Sequence, residues 1–410
     1  MMRGLWQIAA LLGGGALAAG GGAAWPGAGA SQAVPQVFLI DARDLLNARQ
    51  ALEARDERLA KPRDRLIQDA TRALRHAPVS VMEKTPLPPS GDRHDYMSLA
   101  PYWWPNPATA TGLPYVVHDG ETNPECKSIP DEAHLAHTIS DARVLTLASF
   151  FTGNSAYAEH AGHLLRVFFL DPATRMNPNL TYAQIVRGRS GPNPTGIIDS
   201  RDLALVVDGG GLLAGSPQWT ASDRNGMRVW FVQYLDWLLT SESGRREGQT
   251  ANNHRSFYDQ QAVAIALFLG RTDVAREKLQ DAKDNVIAKQ IEPDGSQPLE
   301  LRRTRSWHYS VFNLEALLRL VALSRYAGAD LGGFTTADGR SVRKALDYLI
   351  PYALGDKPWP YPEMGTWDPK PIAPLLLQAS AEFKNPGYRD AARRVAGPAA
   401  EADWVNLLYP

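Results

Sequence analysis

The sequence predicts an all-α fold, an incomplete α/α toroid (barrel) of antiparallel helix pairs that carries one long aromatic loop. Three observations support this prediction. Apolar residues recur at helical spacing through most of the chain, glycines separate many of the helical segments, and few segments alternate in the manner of a half-buried strand. A ring of helix pairs leaves a cleft at one end, where an extended polymer can bind.

The N-terminus has the layout of a secretory signal. A basic residue, Arg3, precedes an apolar, Gly/Ala-rich run at 5–19 and an Ala-Gly-Ala site at 28–30. The run is broken by glycines and is shorter than the ~20 apolar residues of a membrane-spanning helix, which disfavours the alternative of a retained anchor. We therefore expect a periplasmic or secreted protein in which 1–30 is cleaved off and 31–410 forms a single toroid domain.

Charge and cysteine content exclude several classes of protein. The 43 Lys plus Arg residues balance 44 Asp plus Glu residues, so no global positive field attracts nucleic acid or a membrane surface. The single cysteine, Cys126, excludes an internal disulfide, and stability must come from a hydrophobic core. We expect no nucleic-acid partner, no membrane contact after cleavage, and no metal or cofactor.

The helical segments follow in order along the chain. Two amphipathic helices are expected between 42 and 76, and the region 78–130 is rich in Pro, Gly and aromatic residues, as functional loops often are. Strand character is confined to a minor exception at 115–117. The later helical segments are 132–151 with 155–169, 199–214 with 223–240, 256–269 with 272–288, and then 308–326, 341–354, 370–383 and 387–396.

Two polar segments lie at predicted helix starts. Asn253 and His254 place an amide beside an imidazole before an apolar helix, although capping and structural roles explain such residues equally well. The 299–309 segment carries three arginines and then an aromatic pair. The alternative for this segment is a solvated basic face with Trp307 and Tyr309 in the core.

A third segment, 95–107, lies inside the long loop. Its adjacent Trp103 and Trp104 have flat faces suited to packing against sugar rings, and a purely structural packing role is the alternative.

These segments together resemble a known family. The Asn-Asn-His run at 252–254, followed by Arg302 and Tyr309 seven positions apart, resembles the alginate lyases of polysaccharide lyase family five. The 95–107 run and the Gly-Ile-Ile-Asp run at 196–199 resemble the wider alginate-lyase domain family, which includes lyases of other uronate polymers such as glucuronan. The resemblance spans most of the mature chain and implies an anionic polysaccharide substrate. The aromatic loop departs from the family-five pattern, so the resemblance implies the reaction more firmly than the polymer.

The resemblance assigns catalysis to Asn253, His254, Arg302 and Tyr309, and a lid lysine of the family corresponds by region to Lys84. In β-elimination the C5 proton becomes acidic only if the uronate carboxylate is neutralised. Asn253 and Arg302 suit that task, with His254 as a further donor when protonated. Tyr309 then acts as base and acid when the proton and the leaving oxygen share a face, and His254 is the base when they do not.

Further residues are predicted to bind substrate. They are Lys84, Tyr96, Tyr102, Trp103, Trp104, Tyr182, Arg187, Arg303, Arg305 and Trp307. A late aromatic group, Trp359, Tyr361 and Trp367, either forms another sugar platform or covers the closing seam of the ring.

The sequence leaves three alternatives: a glycoside hydrolase, a metal site and a non-catalytic binding protein. Carboxylates such as Asp199, Asp294 and Glu300 could form the acid pair of a glycoside hydrolase, the main rival class. His134 and His137 have a spacing compatible with metal but no clear third ligand. A non-catalytic carbohydrate-binding protein that keeps the toroid is the third alternative.

Overall fold

A computed structural model describes residues 34–410, so the predicted signal at 1–30 lies outside the described residues. The α-helices are α1 Ala42–Glu53, α2 Ala60–Ala73, α3 Asp131–Thr152, α4 Ser155–Leu165, α5 Leu203–Leu213, α6 Ala221–Thr240, α7 Glu242–Glu247, α8 Asn253–Leu269, α9 Thr272–Ala282, α10 Ala288–Gln290, α11 Pro298–Leu301, α12 Ser306–Ser324, α13 Val342–Ala353, α14 Ala373–Glu382, α15 Pro386–Ala396 and α16 Pro398–Ala402. No helix within 34–410 combines the length and apolar character needed to cross a membrane.

Consecutive helices pack as pairs, and the pairs pack on one another as an α/α toroid. Helices α3 and α4, α8 and α9, and α14 and α15 are the consecutive pairs, while α3 packs on α5 and α8 packs on α12. One buried apolar cluster extends from Val37 to Tyr409. The all-α prediction is confirmed. The segment predicted as 199–214 begins as a 3₁₀ turn, Pro194–Ser200, before α5, and the short helices α7, α11 and α16 were not predicted.

Four short strands organise the aromatic loop. Strand β1, Met97–Leu99, pairs in parallel with β4, Tyr182–Ile185, and β2, Trp103–Trp104, pairs antiparallel with β3, Val116–Val117. Only the 115–117 segment was foreseen from the sequence. The other strands have two to four residues, too few for an alternating pattern to be recognised.

The two helices that begin with the candidate site residues lie side by side near the centre of the ring. Most residues of α8 and α12 are buried, which explains their nearly continuous apolar and small residues. The rings of Phe257 in α8 and Phe312 in α12 are 4.3 Å apart between centroids. Since both rings are close to the helix starts, the N-terminal ends of α8 and α12 are neighbours.

Candidate active site

His254 is held by a buried carboxylate. Its Nδ1 lies 2.7 Å from Oε1 of Glu247, the last residue of α7, whose side chain is 1% exposed, whereas the His254 side chain is 19% exposed. Burial lowers the pKa of His254, but the charge and hydrogen bond of Glu247 outweigh it and leave the pKa raised. Because Nδ1 serves Glu247, Nε2 is the nitrogen left for a ligand.

Asn253 is bound to a second buried carboxylate, Glu300. The backbone N–H of Asn253 and its Nδ2 each donate to Glu300, both at 2.8 Å. Glu300 thus satisfies a free N–H at the start of α8, a task that the preceding Asn252 side chain does not perform. Burial raises the pKa of Glu300, and the two hydrogen bonds from Asn253 oppose that rise. The structure places Asn253 beneath His254, almost fully buried.

Tyr309 lies in the first turn of α12 with two polar partners. Its hydroxyl donates to the hydroxyl of Tyr102 at 2.7 Å, and the guanidinium carbon of Arg303 lies 3.6 Å from its ring centroid. Burial raises the pKa of Tyr309, Tyr102 adds to the rise, and the charge of Arg303 opposes it. In the free protein Tyr309 is therefore a neutral phenol.

Arg303 interacts with both of the proposed proton-transfer residues, His254 and Tyr309. Its charge lowers the pKa of His254 and that of Tyr309, so both side chains lie within its electrostatic reach. It is itself held by Asp119, through Nε at 3.0 Å and Nη2 at 2.5 Å from Oδ1. Arg303 therefore contacts Tyr309 directly, and its charge also acts on His254 at the start of the neighbouring helix.

Arg302 does not occupy the position predicted for it. It follows the last turn of α11 with an exposed side chain, and its Nε donates to the carbonyl oxygen of Pro298 at 3.1 Å. The guanidinium against Tyr309 belongs to Arg303, six positions before it rather than seven. The reason is the turn between α11 and α12, which directs the two consecutive arginines differently.

The prediction that Lys84 contacts substrate is wrong. Its side chain is 0% exposed, and Nζ donates to the carbonyls of Val81 and Arg93 at 2.5 and 2.7 Å and pairs with Asp131 at 2.9 Å. Three partners satisfy all three donors of the ammonium group. Lys84 is a structural ion pair under the aromatic loop.

Tyr96 is a second correction. It is fully buried, and its hydroxyl donates to Oδ2 of Asp199, which also accepts from Ser98 at 2.6 Å, while Oδ1 accepts from Gln184 at 2.7 Å. The 95–107 and 196–199 runs are therefore tied to each other by a half-buried carboxylate. Asp199 accepts three hydrogen bonds that hold the loop together.

Trp307 is a third correction. It is 2% exposed, its Nε1 donates to the carbonyl of Asp368, and its ring packs on Trp359 and Trp367 with centroids 5.2 and 4.8 Å away. Trp359 and Trp367 thus pack on a buried tryptophan while Trp367 stays partly exposed, and both roles considered for the late aromatic group stay predictions. Of the other carboxylates considered, Asp294 is exposed and accepts from a backbone N–H two residues on.

Among the remaining predicted substrate contacts, Arg187 is exposed and the others are half-buried. Arg189 lies over the ring of Trp103 at 4.1 Å, and Trp104 donates to a backbone carbonyl while stacking on His118. Arg187 pairs with Glu125 at 2.6 Å. Their substrate contacts, with those of Tyr182 and Arg305, stay predictions.

Metal ligation gains no support from the described part of the chain, where no group of three or more potential ligands converges. His134 bonds the carbonyl of Ser80 through Nδ1 and lies 3.7 Å from Glu83 through Nε2. A cavity of about 110 Å³ inside the ring is lined by other residues, among them Arg143 and Trp404, and the candidate site residues do not contribute to it.

Comparisons with known proteins identify the family and the fold. The family model described as alginate lyase matches residues 80–359. A crystal structure of an alginate lyase from Bacteroides ovatus is 36% identical, with 92% of this chain and 100% of that chain covered and a TM-score of 0.87. Alginate lyase A1-III from Sphingomonas species A1 shares the fold at 17% identity, covering 91% of this chain and 95% of its own, with a TM-score of 0.58. A comparison with curated proteins gives no match.

Proposed function

This chain belongs to the alginate lyase family, and on that premise we propose that it cleaves alginate, in particular its mannuronate-rich blocks, by β-elimination to leave unsaturated uronate ends. The observation that carries the proposal is the contact of the Arg303 guanidinium with Tyr309, 3.6 Å from its ring centroid, at the start of a helix that neighbours the helix presenting His254. A fixed cation at this place can stabilise the negative charge that develops on the uronate carboxylate.

The first requirement of the reaction is neutralisation of the uronate carboxylate. As the C5 proton leaves, negative charge moves onto that carboxylate, and preorganised donors stabilise it at little cost in reorganisation. Arg303 supplies a fixed positive charge and His254 supplies Nε2. Asn253 contributes indirectly, because it anchors Glu300 at the start of the helix that presents His254.

The second requirement is movement of one proton from C5 to the leaving oxygen O4. In a mannuronate residue both lie on the same face of the ring. The phenol of Tyr309 first gives its own proton to His254 Nε2; its oxygen then accepts the C5 proton and returns it to O4, while His254 keeps the phenol proton as a donor to the carboxylate. In a guluronate residue they lie on opposite faces, and His254 Nε2 then takes the proton while Tyr309 donates. In either route His254 and Tyr309 must together hold one proton rather than two. The C5–H and C4–O4 bonds break and a C4–C5 double bond forms.

The substrate is tested by incubation with mannuronate-rich alginate, guluronate-rich alginate and glucuronan. The unsaturated uronate absorbs in the ultraviolet, and we expect the fastest increase with mannuronate-rich alginate. Glucuronan is the second candidate because its residues also carry the two groups on one face. New reducing ends without absorbance would indicate a hydrolase, and binding without either would indicate a non-catalytic protein.

We further propose that the protein is exported, on the basis of the signal-like residues 1–30. Alginate is a large polymer, and an enzyme can degrade it only in the compartment where the polymer is present. N-terminal sequencing of the protein from periplasmic and culture fractions tests this, with a mature start directly after Ala30 as the expected result. An intact Met1 on the exported protein would contradict the predicted cleavage.

A further inference from the structure

Asp119, in the loop after β3, is bonded to the segment that precedes α12. Both carboxylate oxygens accept from Arg303, and Thr304 donates its backbone N–H at 3.0 Å and its hydroxyl at 3.1 Å to Oδ2. The Thr304 hydroxyl also lies 2.8 Å from the backbone oxygen of Asp119. At Gly120, whose φ is +79°, a Cβ would lie 2.4 Å from Thr304 Oγ1. The two segments, 184 residues apart in sequence, therefore meet at a distance that only glycine permits.

The carboxylate determines where the Arg303 guanidinium lies. A bidentate Arg–carboxylate pair orients the guanidinium plane as well as its position. Here the pair is only partly exposed, 22% for Arg303 and 31% for Asp119, and the same guanidinium stacks on Tyr309 at 3.6 Å. The ring face alone is a weak restraint, of about 0.5–2 kcal/mol. Without Asp119 the long arginine side chain is free to move into solvent.

The same loop carries the other polar contact of Tyr309. Tyr102 directly precedes β2, and its carbonyl accepts from the backbone N–H of His118, the neighbour of Asp119. The β2–β3 hairpin therefore connects Asp119 to the hydroxyl of Tyr102, which accepts from Tyr309. Asp119 therefore binds Arg303 through its carboxylate and lies in the hairpin that carries Tyr102, and Arg303 and Tyr102 are the two polar partners of Tyr309.

We propose that Asp119 is a positioning residue of the elimination: it holds Arg303 against Tyr309 and within reach of His254, and it holds the Tyr102 hairpin over the same ring. The inference rests on the proposed function, since it assigns Asp119 no contact with substrate and no proton transfer. It acts through Arg303.

Electrostatics agree with this geometry. Burial raises the pKa of Asp119, but hydrogen bonds from Arg303 and Thr304 outweigh it, so its pKa is lowered and the carboxylate stays ionised under assay conditions. The groups whose charges act on His254 are Glu247 and Glu300, which raise its pKa, and Arg303, which lowers it. If Arg303 leaves, the pKa of His254 rises.

The test is the kinetics of Asp119→Asn on alginate across pH. We expect kcat to fall about 10–100-fold with a smaller change in KM, because a displaced charge costs transition-state stabilisation more than binding. We also expect the acid limb of kcat to move to higher pH, because the cation that lowers the pKa of His254 is released. If the acid limb of kcat moves to lower pH, Asp119 only screens the charge of Arg303. If the acid limb does not move, Asp119 only anchors the loop. Either result overturns the proposal.

Two further variants keep the test decisive. Thr304→Val removes two hydrogen bonds of the same contact and leaves the ion pair, so we expect kcat within about threefold of wild type and an unmoved limb. Loss equal to that of Asp119→Asn would contradict the proposal. Asp338→Asn is the matched control: Asp338 also accepts from an arginine and a threonine hydroxyl, Arg340 and Thr336, but none of the three contacts the site.

Failure of this inference is distinguishable from failure of the proposed function. A fully active Tyr309→Phe variant would contradict the proposed function, and the role of Asp119 would be contradicted with it. An inactive Tyr309→Phe beside an Asp119→Asn variant that behaves as wild type leaves the function in place and removes the role of Asp119.

Discussion

Replacing Glu247 by Gln isolates the effect of the buried charge on His254. Glutamine has the same shape and can still accept from Nδ1 through its amide oxygen. The substitution removes a negative charge that lies 2.7 Å from the imidazole and is 1% exposed. Burial lowers the pKa of His254, and in this variant the charge of Glu247 no longer offsets that effect. The pKa of His254 therefore falls.

The effect on stability depends on pH with a definite sign. The folded-state pKa of His254 is raised, so the contribution of the pair is complete below the unfolded pKa of about 6.5 and is lost as pH rises through the folded pKa. A hydrogen bond to a charged group contributes about 1.5–3 kcal/mol. For a chain of this length that is a loss of roughly 2–4 °C in Tm at acid pH. The difference from wild type should shrink towards alkaline pH.

The effect on catalysis follows from the shared proton. Activity appears when the His254 and Tyr309 pair loses its first proton, so the acid limb of kcat follows the pKa of His254. In Glu247→Gln this limb should move to lower pH, while the maximum kcat falls about 10–100-fold because a weaker base is less firmly oriented. That loss corresponds to about 1.4–2.8 kcal/mol of activation free energy.

The assay is the initial rate of ultraviolet absorbance with alginate between pH 5 and 10, together with thermal unfolding at the same pH values. Glu83→Gln is the matched control, because Glu83 lies 3.7 Å from another imidazole, that of His134, away from the site. An acid limb that stays in place, or one that moves to higher pH, would refute the assignment of Glu247 as the residue that raises the pKa of His254.

Four further substitutions test the roles that the structure gives to Lys84, the two arginines and Tyr102. Lys84→Met should lower the free energy of unfolding by about 3–5 kcal/mol in denaturant titrations, because Asp131 stays buried without its partner, yet leave kcat within about twofold where the variant is folded; unchanged stability with lost activity would restore a lid role. Arg303→Ala should lower kcat about 100-fold and Arg302→Ala less than about fivefold, and the opposite order in initial rates would return the role to Arg302. Tyr102→Phe removes one hydroxyl and should lower kcat about fivefold, whereas an inactive variant would make Tyr102 essential to the proton transfer.

The helices, and the polar residues near the starts of α8 and α12, were predictable from local patterns. Apolar spacing and the glycines at helix ends, such as Gly153 and Gly270 with positive φ, determine where helices form and stop. Asn253, His254 and Tyr309 lie within a turn or so of a helix start, but their catalytic roles were predicted from the order of motifs that resembles the family, not from their position alone. Each of these signals spans only a few consecutive residues.

What the sequence could not supply are the partners that come from distant segments. Glu247 and Glu300 are single carboxylates with no surrounding motif, and Asp119 meets Arg303 across 184 residues. The choice between Arg302 and Arg303 depends on the direction of one turn, which residue spacing does not determine. Lys84 was misplaced for a similar reason, since burial beside Asp131 arises only in the folded chain.

The central claim is that this chain performs β-elimination with the hydroxyl of Tyr309. The most direct measurement compares wild type with Tyr309→Phe on mannuronate-rich alginate, following ultraviolet absorbance, with thermal unfolding to show that both are folded. The account predicts steady formation of unsaturated ends by the wild type and a loss of at least about 1,000-fold in the variant, since general acid–base groups contribute about 10²–10⁴-fold each and Tyr309 serves in both roles. A folded Tyr309→Phe variant that forms unsaturated product at the wild-type rate would contradict it.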